Sequence, residues 1–309
     1  MIVCVCPNLS IDSFFEMVHF RESQVNRSQK EAYYPGGKGV HVALAAKELG
    51  EDVALLGFWG GVTGQWIKKK CEQFGIMCFG PVINQNSRFN IIFKSQKSRI
   101  DETQILAAGP QIDKVSFAAF KEDFKKLMED AKCIVMSGSW PNSQTEDEYQ
   151  HLIEISGEYQ KPVFIDFTGQ QLTNVLYSKP YGLHLNLDEA QEYFGETSTE
   201  LQLIQKMNNV STLPMLTLGS DGLCLGRENQ YVTGSCKIEE DEVVSTVGSG
   251  DCTVAGLAVS YVRNYNLYQT VTLAVACGAA NCLRSELGML YKKDVDSLLS
   301  KVSVNEVNP

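Results

Sequence analysis

The run Val247-Gly248-Ser249-Gly250-Asp251, leading straight into Cys252-Thr253-Val254-Ala255-Gly256-Leu257-Ala258, puts two glycines, a hydroxyl and a carboxylate at the expected start of a helix. Glycine lets a backbone turn steeply and approach a ligand. The first N–H groups of a helix have no intrahelical acceptor, so such a start attracts anions. Asp251 then sits where charge develops in a phosphate transfer. The same residues also suit a plain turn followed by an Asp helix cap.

A second glycine-rich corner, Pro35-Gly36-Gly37-Lys38-Gly39, precedes a helical pattern over Val40 to Leu49. It is not a P-loop, because Ala32 and Gly39 stand where that motif needs Gly and Ser or Thr. Its glycines would admit a polar ligand, with Lys38 available for a phosphate or hydroxyl; a surface turn with a solvated lysine fits equally. Asn186-Leu187-Asp188-Glu189 follows the strand-like His184-Leu185 and opens another helix. Its amide and carboxylate oxygens suit Mg²⁺ held partly through water, and in form they are also a capping box. Thr217-Leu218-Gly219-Ser220-Asp221-Gly222 reads as a strand end and tight turn, where Gly219 could lie against a nucleotide or merely turn the chain. Asp12 could accept hydrogen bonds from sugar hydroxyls, and Arg88, Lys38 and Arg27 could form a cationic cluster for a phosphorylated ligand. His19, His41, His151 and His184 show no metal-ligand spacing, and neither a nucleophile elbow nor a His-Glu-x-x-His helix is present.

The elements that must hold these residues follow an alternating rhythm. Short β-rich apolar runs over Val53 to Phe58, Cys133 to Ser137, Val163 to Phe167 and Met215 to Leu218 alternate with helical patterns such as Thr63 to Phe74 and Glu146 to Glu158. That implies an α/β fold with a mostly parallel sheet covered on both faces, and ligands outside the carboxyl ends of the strands. Two stretches break the rhythm, about 10–34 and about 84–108, the second with a strand over Arg88 to Lys94. They are expected to form a small β-sheet lid inserted into one α/β domain spanning residues 1–309. Asp251 to Asn264, Gln269 to Leu283 and Asp294 to Ser300 read as helices.

A chain of 309 residues buries a sizeable core without staples. Its 27 Lys plus Arg against 37 Asp plus Glu give a formal charge of −10, which argues against nucleic acid or an anionic membrane as the main partner. Ten cysteines lie scattered, mostly in apolar runs and without Cys-x-x-Cys spacing, as expected for reduced core residues of a cytoplasmic protein. No leader or membrane span is read at the start, where Ile2-Val3-Cys4-Val5-Cys6 is strand-like.

Taken together, these motifs resemble the ribokinase-like (PfkB-type) carbohydrate kinases, and among them the branch of 1-phosphofructokinases and tagatose-6-phosphate kinases. The resemblance runs through Asn8 to Asp12, Val25-Asn26-Arg27, Pro35 to Gly39, Gly60 to Gly64, Ser87 to Asn90, Gly109-Pro110, Ser137 to Pro141, Asn186 to Glu189, Leu218-Gly219 and Val247 to Asp251. It implies transfer of the ATP γ-phosphoryl group to a hydroxyl of a phosphorylated ketohexose: fructose 1-phosphate, tagatose 6-phosphate or fructose 6-phosphate. Asp251 would be the general base, with the N–H groups of Gly248, Ser249 and Gly250 as the anion hole. Asn186 and Glu189 would place Mg²⁺ and phosphates, Glu189 through water, and Thr217, Gly219, Gly222 and Gly250 would line the ATP site. Asp12, Gly37, Lys38, Arg88, Asn90, Arg27 and Ser137 would contact the sugar phosphate. His41 stands where the family normally has an asparagine on the sugar hydroxyls, a bulkier and titratable replacement. A kinase of an unphosphorylated sugar or nucleoside, or a catalytically weak sugar-phosphate sensor, remains open on this reading, and a homodimer through the lid sheet is expected.

Overall fold

A run of apolar residues with no polar alternation needs cover on both sides. Ile2–Val5, Val53–Leu56, Cys133–Ser137 and Val163–Asp166 are such runs, every residue buried. The computed structural model of the protein describes residues 1–95, 102–143 and 148–307. Residues 96–101 of the second expected lid stretch, and 146–147 of the expected 146–158 helix, lie outside the described residues.

The four runs pair in parallel with Met77–Phe79, Gly182–Asn186 and Leu213–Thr217. Three antiparallel strands, Leu223–Arg227, Gln230–Ser235 and Ser303–Val307, extend the sheet to ten. This hairpin and its closing strand add to the alternation read from sequence; their runs are interrupted by glycine and polar residues and give a weak apolar signal.

Strand geometry sends alternate side chains to opposite faces. Ile2, Cys4, Val53, Leu55, Cys133 and Val135 therefore join the core beneath the helices Lys38–Glu48, Ser249–Val262 and Leu267–Cys282. Val3, Val5, Ala54, Leu56, Ile134 and Met136 join the core under Lys114–Leu127, Glu148–Glu158 and Glu200–Val210, where Phe58 stacks on Phe120 at 4.4 Å. The helix Ser249–Val262 is buried from Asp251 through Ser260. It lies tightly against Leu267–Cys282, for a Cβ at Gly256 would come within 2.7 Å of Ala274 Cα. A helix so enclosed has little freedom to shift, and its N-terminus is fixed over the sheet.

A separate four-stranded sheet in the order Lys30–Gly36, Ser10–Met17, Arg88–Ser95, Glu102–Leu106 stands beside the large one. Ser10–Met17 and Arg88–Ser95 run parallel with Ser10 opposite Arg88 and Asp12 opposite Asn90. One face carries Phe14 and Ile92 onto Leu287. Tyr33, Phe89, Ile91 and Ile105 are exposed. Among the described residues, no helix is long and apolar enough to cross a membrane. All ten cysteines are free thiols.

Candidate active site

The carboxyl ends of the parallel strands and the inner face of the small sheet meet around two buried acid clusters. In the first, register does the positioning. Asn90 sits directly beside Asp12 and donates from Nδ2 to Asp12 Oδ1 at 2.9 Å, while Ser10 Oγ donates to the same oxygen at 2.7 Å. Gly36 on the neighbouring strand leaves room for that carboxylate, since a Cβ there would lie 2.1 Å from Asp12 Cγ.

Across from Asp12 stands Asp251, in the first turn of the Ser249–Val262 helix. Gly248, in the left-handed region at φ 87°, turns the chain into that helix, which has no side-chain cap. The Ser249 N–H donates to Thr246 O at 3.2 Å, so of the three amides expected to form an anion hole this one has a partner. A Cβ at Gly250 would meet only His184 Cε1, at 3.6 Å. An uncapped, glycine-flanked helix start fits a phosphate.

His41 lies between the two acids. Its Nδ1 is 2.7 Å from Asp251 Oδ2, and its Nε2 is 3.4 Å from Asp12 Oδ2, ion-pair reach but not a formed hydrogen bond. Burial alone would push the imidazole down, but the two carboxylates hold it up to about 10. Asp12 is lowered, burial being outweighed by His41, Ser10 and Asn90. Asp251 is raised, because burial and the charge of Asp166 outweigh the pull of His41 and Lys38.

The second cluster centres on Asp166, at the carboxyl end of its strand. Asp166 Oδ1 accepts from Lys38 Nζ at 3.1 Å and meets His184 Nδ1 at 2.9 Å, and Oδ2 accepts from Ser137 Oγ at 3.1 Å. His184 Nε2 continues to Thr217 Oγ1 at 3.1 Å. Burial would raise Asp166, yet Lys38 and His184 hold it well below the usual carboxylate range. Lys38 is in turn held above its ordinary value, first by Asp166, though its side chain keeps 40% exposure.

The other expected residues fall as follows. Arg88 Nη1 donates to Ala107 O at 2.8 Å, and its Nε is buried without a partner. Arg27 is exposed on the connection between the strands Ser10–Met17 and Lys30–Gly36, and the structure does not bring it into either cluster. Asn186 and Glu189 form a full capping box at 2.8 and 3.0 Å. Gly37 precedes the Lys38 helix. A Cβ at Gly219 would meet nothing within 4 Å, so that turn is open to a ligand. One at Gly222 would strike Gly234 O at 2.0 Å, which ties Gly222 to sheet packing. Among the described residues, no three His, Cys, Asp or Glu side chains form a metal-ligand group. Glu189 uses Oε2 in the capping box, and its carboxylate is of the kind that can reach a magnesium ion through water.

Asp166 and His184 were not singled out from sequence. The signal was present, since the strand-end rule applied to Val163 to Phe167 points at Asp166, and His184 lies two residues before Asn186.

Residues 7–292 match the family described as pfkB family carbohydrate kinase. The chain belongs to that family. It is 29% identical to a 1-phosphofructokinase of Bacillus subtilis, with 99% of this chain and all of that protein covered, and 30% identical over the same shares to a tagatose-6-phosphate kinase of Staphylococcus epidermidis. Its fold matches that of Escherichia coli phosphofructokinase-2 in complex with substrates and products, at a TM-score of 0.87 and 18% identity, covering 97% of this chain and 98% of the other. This pfkB-family kinase thus has the ribokinase-like α/β fold, a large mostly parallel sheet with a small separate one.

Asp166→Asn leaves Lys38 and His184 facing a neutral amide. Stability at neutral pH should fall by about 1–3 kcal/mol, moderated by the partial exposure of Lys38. Because the folded Asp166 is depressed, its contribution is present above the unfolded Asp value of about 3.9 and fades as pH drops below it toward the folded value. Urea unfolding at neutral pH and at about pH 3 checks this: the gap between wild type and variant narrows in acid, and an unchanged gap would assign the loss to packing.

Proposed function

We propose that this kinase transfers the γ-phosphoryl group of ATP to a hydroxyl of a phosphorylated ketohexose, giving a bisphosphate and ADP. Fructose 1-phosphate, tagatose 6-phosphate and fructose 6-phosphate are the candidate acceptors. The observation that carries the reading is Asp251, buried in the first turn of an uncapped helix and facing Asp12 across His41.

In this reading Asp12, Asn90 and the Gly37 backbone hold the acceptor so that its free hydroxyl points at Asp251. Asp251 takes the hydroxyl proton as the new oxygen–phosphorus bond forms and the bond from the γ-phosphorus to the bridging oxygen breaks, leaving ADP. Burial and the charge of Asp166 favour the protonated form of Asp251, which suits a group that must accept a proton. Gly248, Ser249 and Gly250 line the place where charge spreads over the transferring group, with the Gly250 edge the open one. Lys38 and Arg88, with Ser137 beneath, form the side toward the phosphate already on the sugar. Thr217 and Gly219 line the nucleotide, and Asn186 and Glu189 stand where Mg²⁺ would be held through water. The ion, when bound, would offset the phosphate charges.

One observation favours a second reading. Lys38 is already paired with Asp166, which lessens the charge it offers a sugar phosphate and leaves room for an unphosphorylated acceptor.

We also propose that residues 10–34 and 84–108 act as a lid on a single-domain enzyme, and that its outer face pairs with a second copy. Tyr33, Phe89, Ile91 and Ile105 expose apolar surface there, and Phe15 meets Tyr33 edge-on.

ADP release measured with MgATP over the three sugar phosphates, free ketohexoses, ribose and nucleosides should show turnover on one phosphorylated ketose. Turnover on free sugars or nucleosides alone would move the assignment to the second reading. Asp251→Asn should lower kcat by at least about 10²-fold while both substrates still bind; near-normal turnover removes Asp251 from the role. Lys38→Ala and Arg88→Ala should mainly raise the KM for the sugar phosphate, and an unchanged KM in both contradicts the phosphorylated acceptor. Light scattering at micromolar protein should give the mass of a dimer, and a strict monomer refutes the paired lid.

A further inference from the structure

His41 occupies a slot that the backbone has been cleared to hold. A Cβ on Gly288 would lie 2.1 Å from His41 Cγ and 2.2 Å from Cδ2, and one on Gly248 would strike Gly288 Cα at 2.4 Å, so the backbone behind the ring is held close. Gly288 at φ 64° and Gly248 at φ 87° both need glycine for their backbones as well. The ring itself is fixed from below: His41 is in the first turn of the Lys38–Glu48 helix, its N–H bonded to Gly37 O at 3.1 Å, and its side chain is 5% exposed.

In that slot the ring divides its two nitrogens between two carboxylates. Nδ1 takes Asp251 Oδ2 at 2.7 Å, and Nε2 faces Asp12 Oδ2 at 3.4 Å. The other oxygen of Asp12 is held by Ser10 and Asn90. Asp12 is therefore hydrogen-bonded through Oδ1 and faces the ring at ion-pair distance through Oδ2, and the same ring bonds Asp251 on its other side. An asparagine at this position is shorter and uncharged, and it could not serve both acids in this way.

We propose that His41 is a positioning residue for the phosphoryl transfer, a cationic bridge that holds the Asp251 carboxylate in one orientation and ties it to the acceptor-binding Asp12 on the small sheet. The inference rests on Asp251 being the base. Its consequence is that the placement of the small sheet, through Asp12, is felt at the reacting carboxylate without any contact between Asp12 and Asp251. In the reaction the acceptor proton goes to Asp251, while His41 keeps its own proton throughout and stabilises Asp251 as the anion until the transfer.

The charges around the bridge decide the direction of its pH effect. Asp12 faces the ring from the strand Ser10–Met17, with Ser10 and Asn90 behind it, and Asp251 faces it from the helix Ser249–Val262. Lys38 and Asp166 act on Asp251 from further away, and Asp251 in turn raises the buried Cys6 thiol. Of these, His41 and Lys38 lower Asp251 and Asp166 raises it. Removing the His41 charge therefore lets Asp251 rise, and the base becomes protonated over a wider acidic range.

The test uses His41→Asn and His41→Gln in the full enzyme, with the acceptor that wild type turns over and thermal melts to establish folding. His41→Asn should lower kcat by about 10- to 100-fold and move the acid limb of the kcat/KM profile to higher pH. His41→Gln, which keeps reach but not charge, should recover part of kcat while its acid limb stays displaced. A separate readout needs no turnover: with four histidines in the chain, NMR of the ring assigned by substitution should show His41 protonated through neutral pH, titrating toward about 10, and falling in Asp251→Asn. A wild-type His41 titrating near the ordinary value of about 6.5 overturns the bridge. An unmoved acid limb in folded His41→Asn, or a change confined to the acceptor KM, overturns the positioning role. Failure of the functional reading is distinct, since it appears as a wild-type enzyme silent on every phosphorylated ketose.

Discussion

A parallel strand covered on both faces has almost no place for a polar side chain except at its ends, and that constraint organises this molecule. Ile2–Val5 and Val53–Leu56 are wholly apolar, whereas Cys133–Ser137, Val163–Asp166, Gly182–Asn186 and Leu213–Thr217 each finish on a polar residue. Because the strands are parallel, these four ends lie along one edge, and Ser137 pairs in register with Asp166 and Asn186 with Thr217. The Asp166 cluster is the result of that alignment. His184, set inside its strand rather than at its end, survives there because both ring nitrogens find partners, Asp166 and Thr217.

Electrostatics then limit what such an edge can be. Asp12, Asp166 and Asp251 are all buried, and three uncompensated carboxylates at one edge would be strongly unfavourable. The chain distributes partners among them: Lys38 and the His184 ring serve Asp166, and His41 serves both Asp12 and Asp251. The compensation is unequal. Asp12 and Asp166 are held below their ordinary values while Asp251 is left above its own. A site in which one acid of three is kept ready to accept a proton has its roles separated by environment rather than by residue type. The uncapped helix start beside Asp251 adds positive potential without adding a titratable group, a local exception in a chain whose formal charge is −10.

How much of this was legible in the sequence depended on the range of the interaction that makes each part. The βα rhythm, the two interrupting stretches and the glycine corners are local patterns, and the corresponding elements stand close to where the pattern puts them, as with Arg88–Ser95 and Ser249–Val262. The antiparallel strands Leu223–Arg227 and Gln230–Ser235, with glycine and polar residues in their runs, do not carry a strong periodic signal, and Ser303–Val307 reaches the sheet across a long separation. At the site, Asp12, Lys38, His41, Arg88, Asn90, Ser137 and Asp251 were readable as polar residues beside motifs, but their partners were not. Lys38 meets Asp166, 128 residues away, and His41 meets Asp251, 210 residues away. For Asn186 and Glu189, the local capping interaction is also the one formed.

The replacement of an expected asparagine by His41 shows why a motif cannot be read apart from the fold that encloses it. Seen along the chain, the change looks like a disturbance of a sugar-contacting position. In three dimensions it is matched by Gly288, 247 positions further on by the difference of the two residue numbers, whose absent side chain makes the slot the ring fills. It is also matched by the two carboxylates that keep the ring charged. A larger residue at Gly288 and an imidazole at 41 exclude each other sterically, and an imidazole without Asp12 and Asp251 would be driven neutral by burial. These four positions therefore form one physical unit, and its integrity, rather than the identity of residue 41 alone, determines how Asp251 is held.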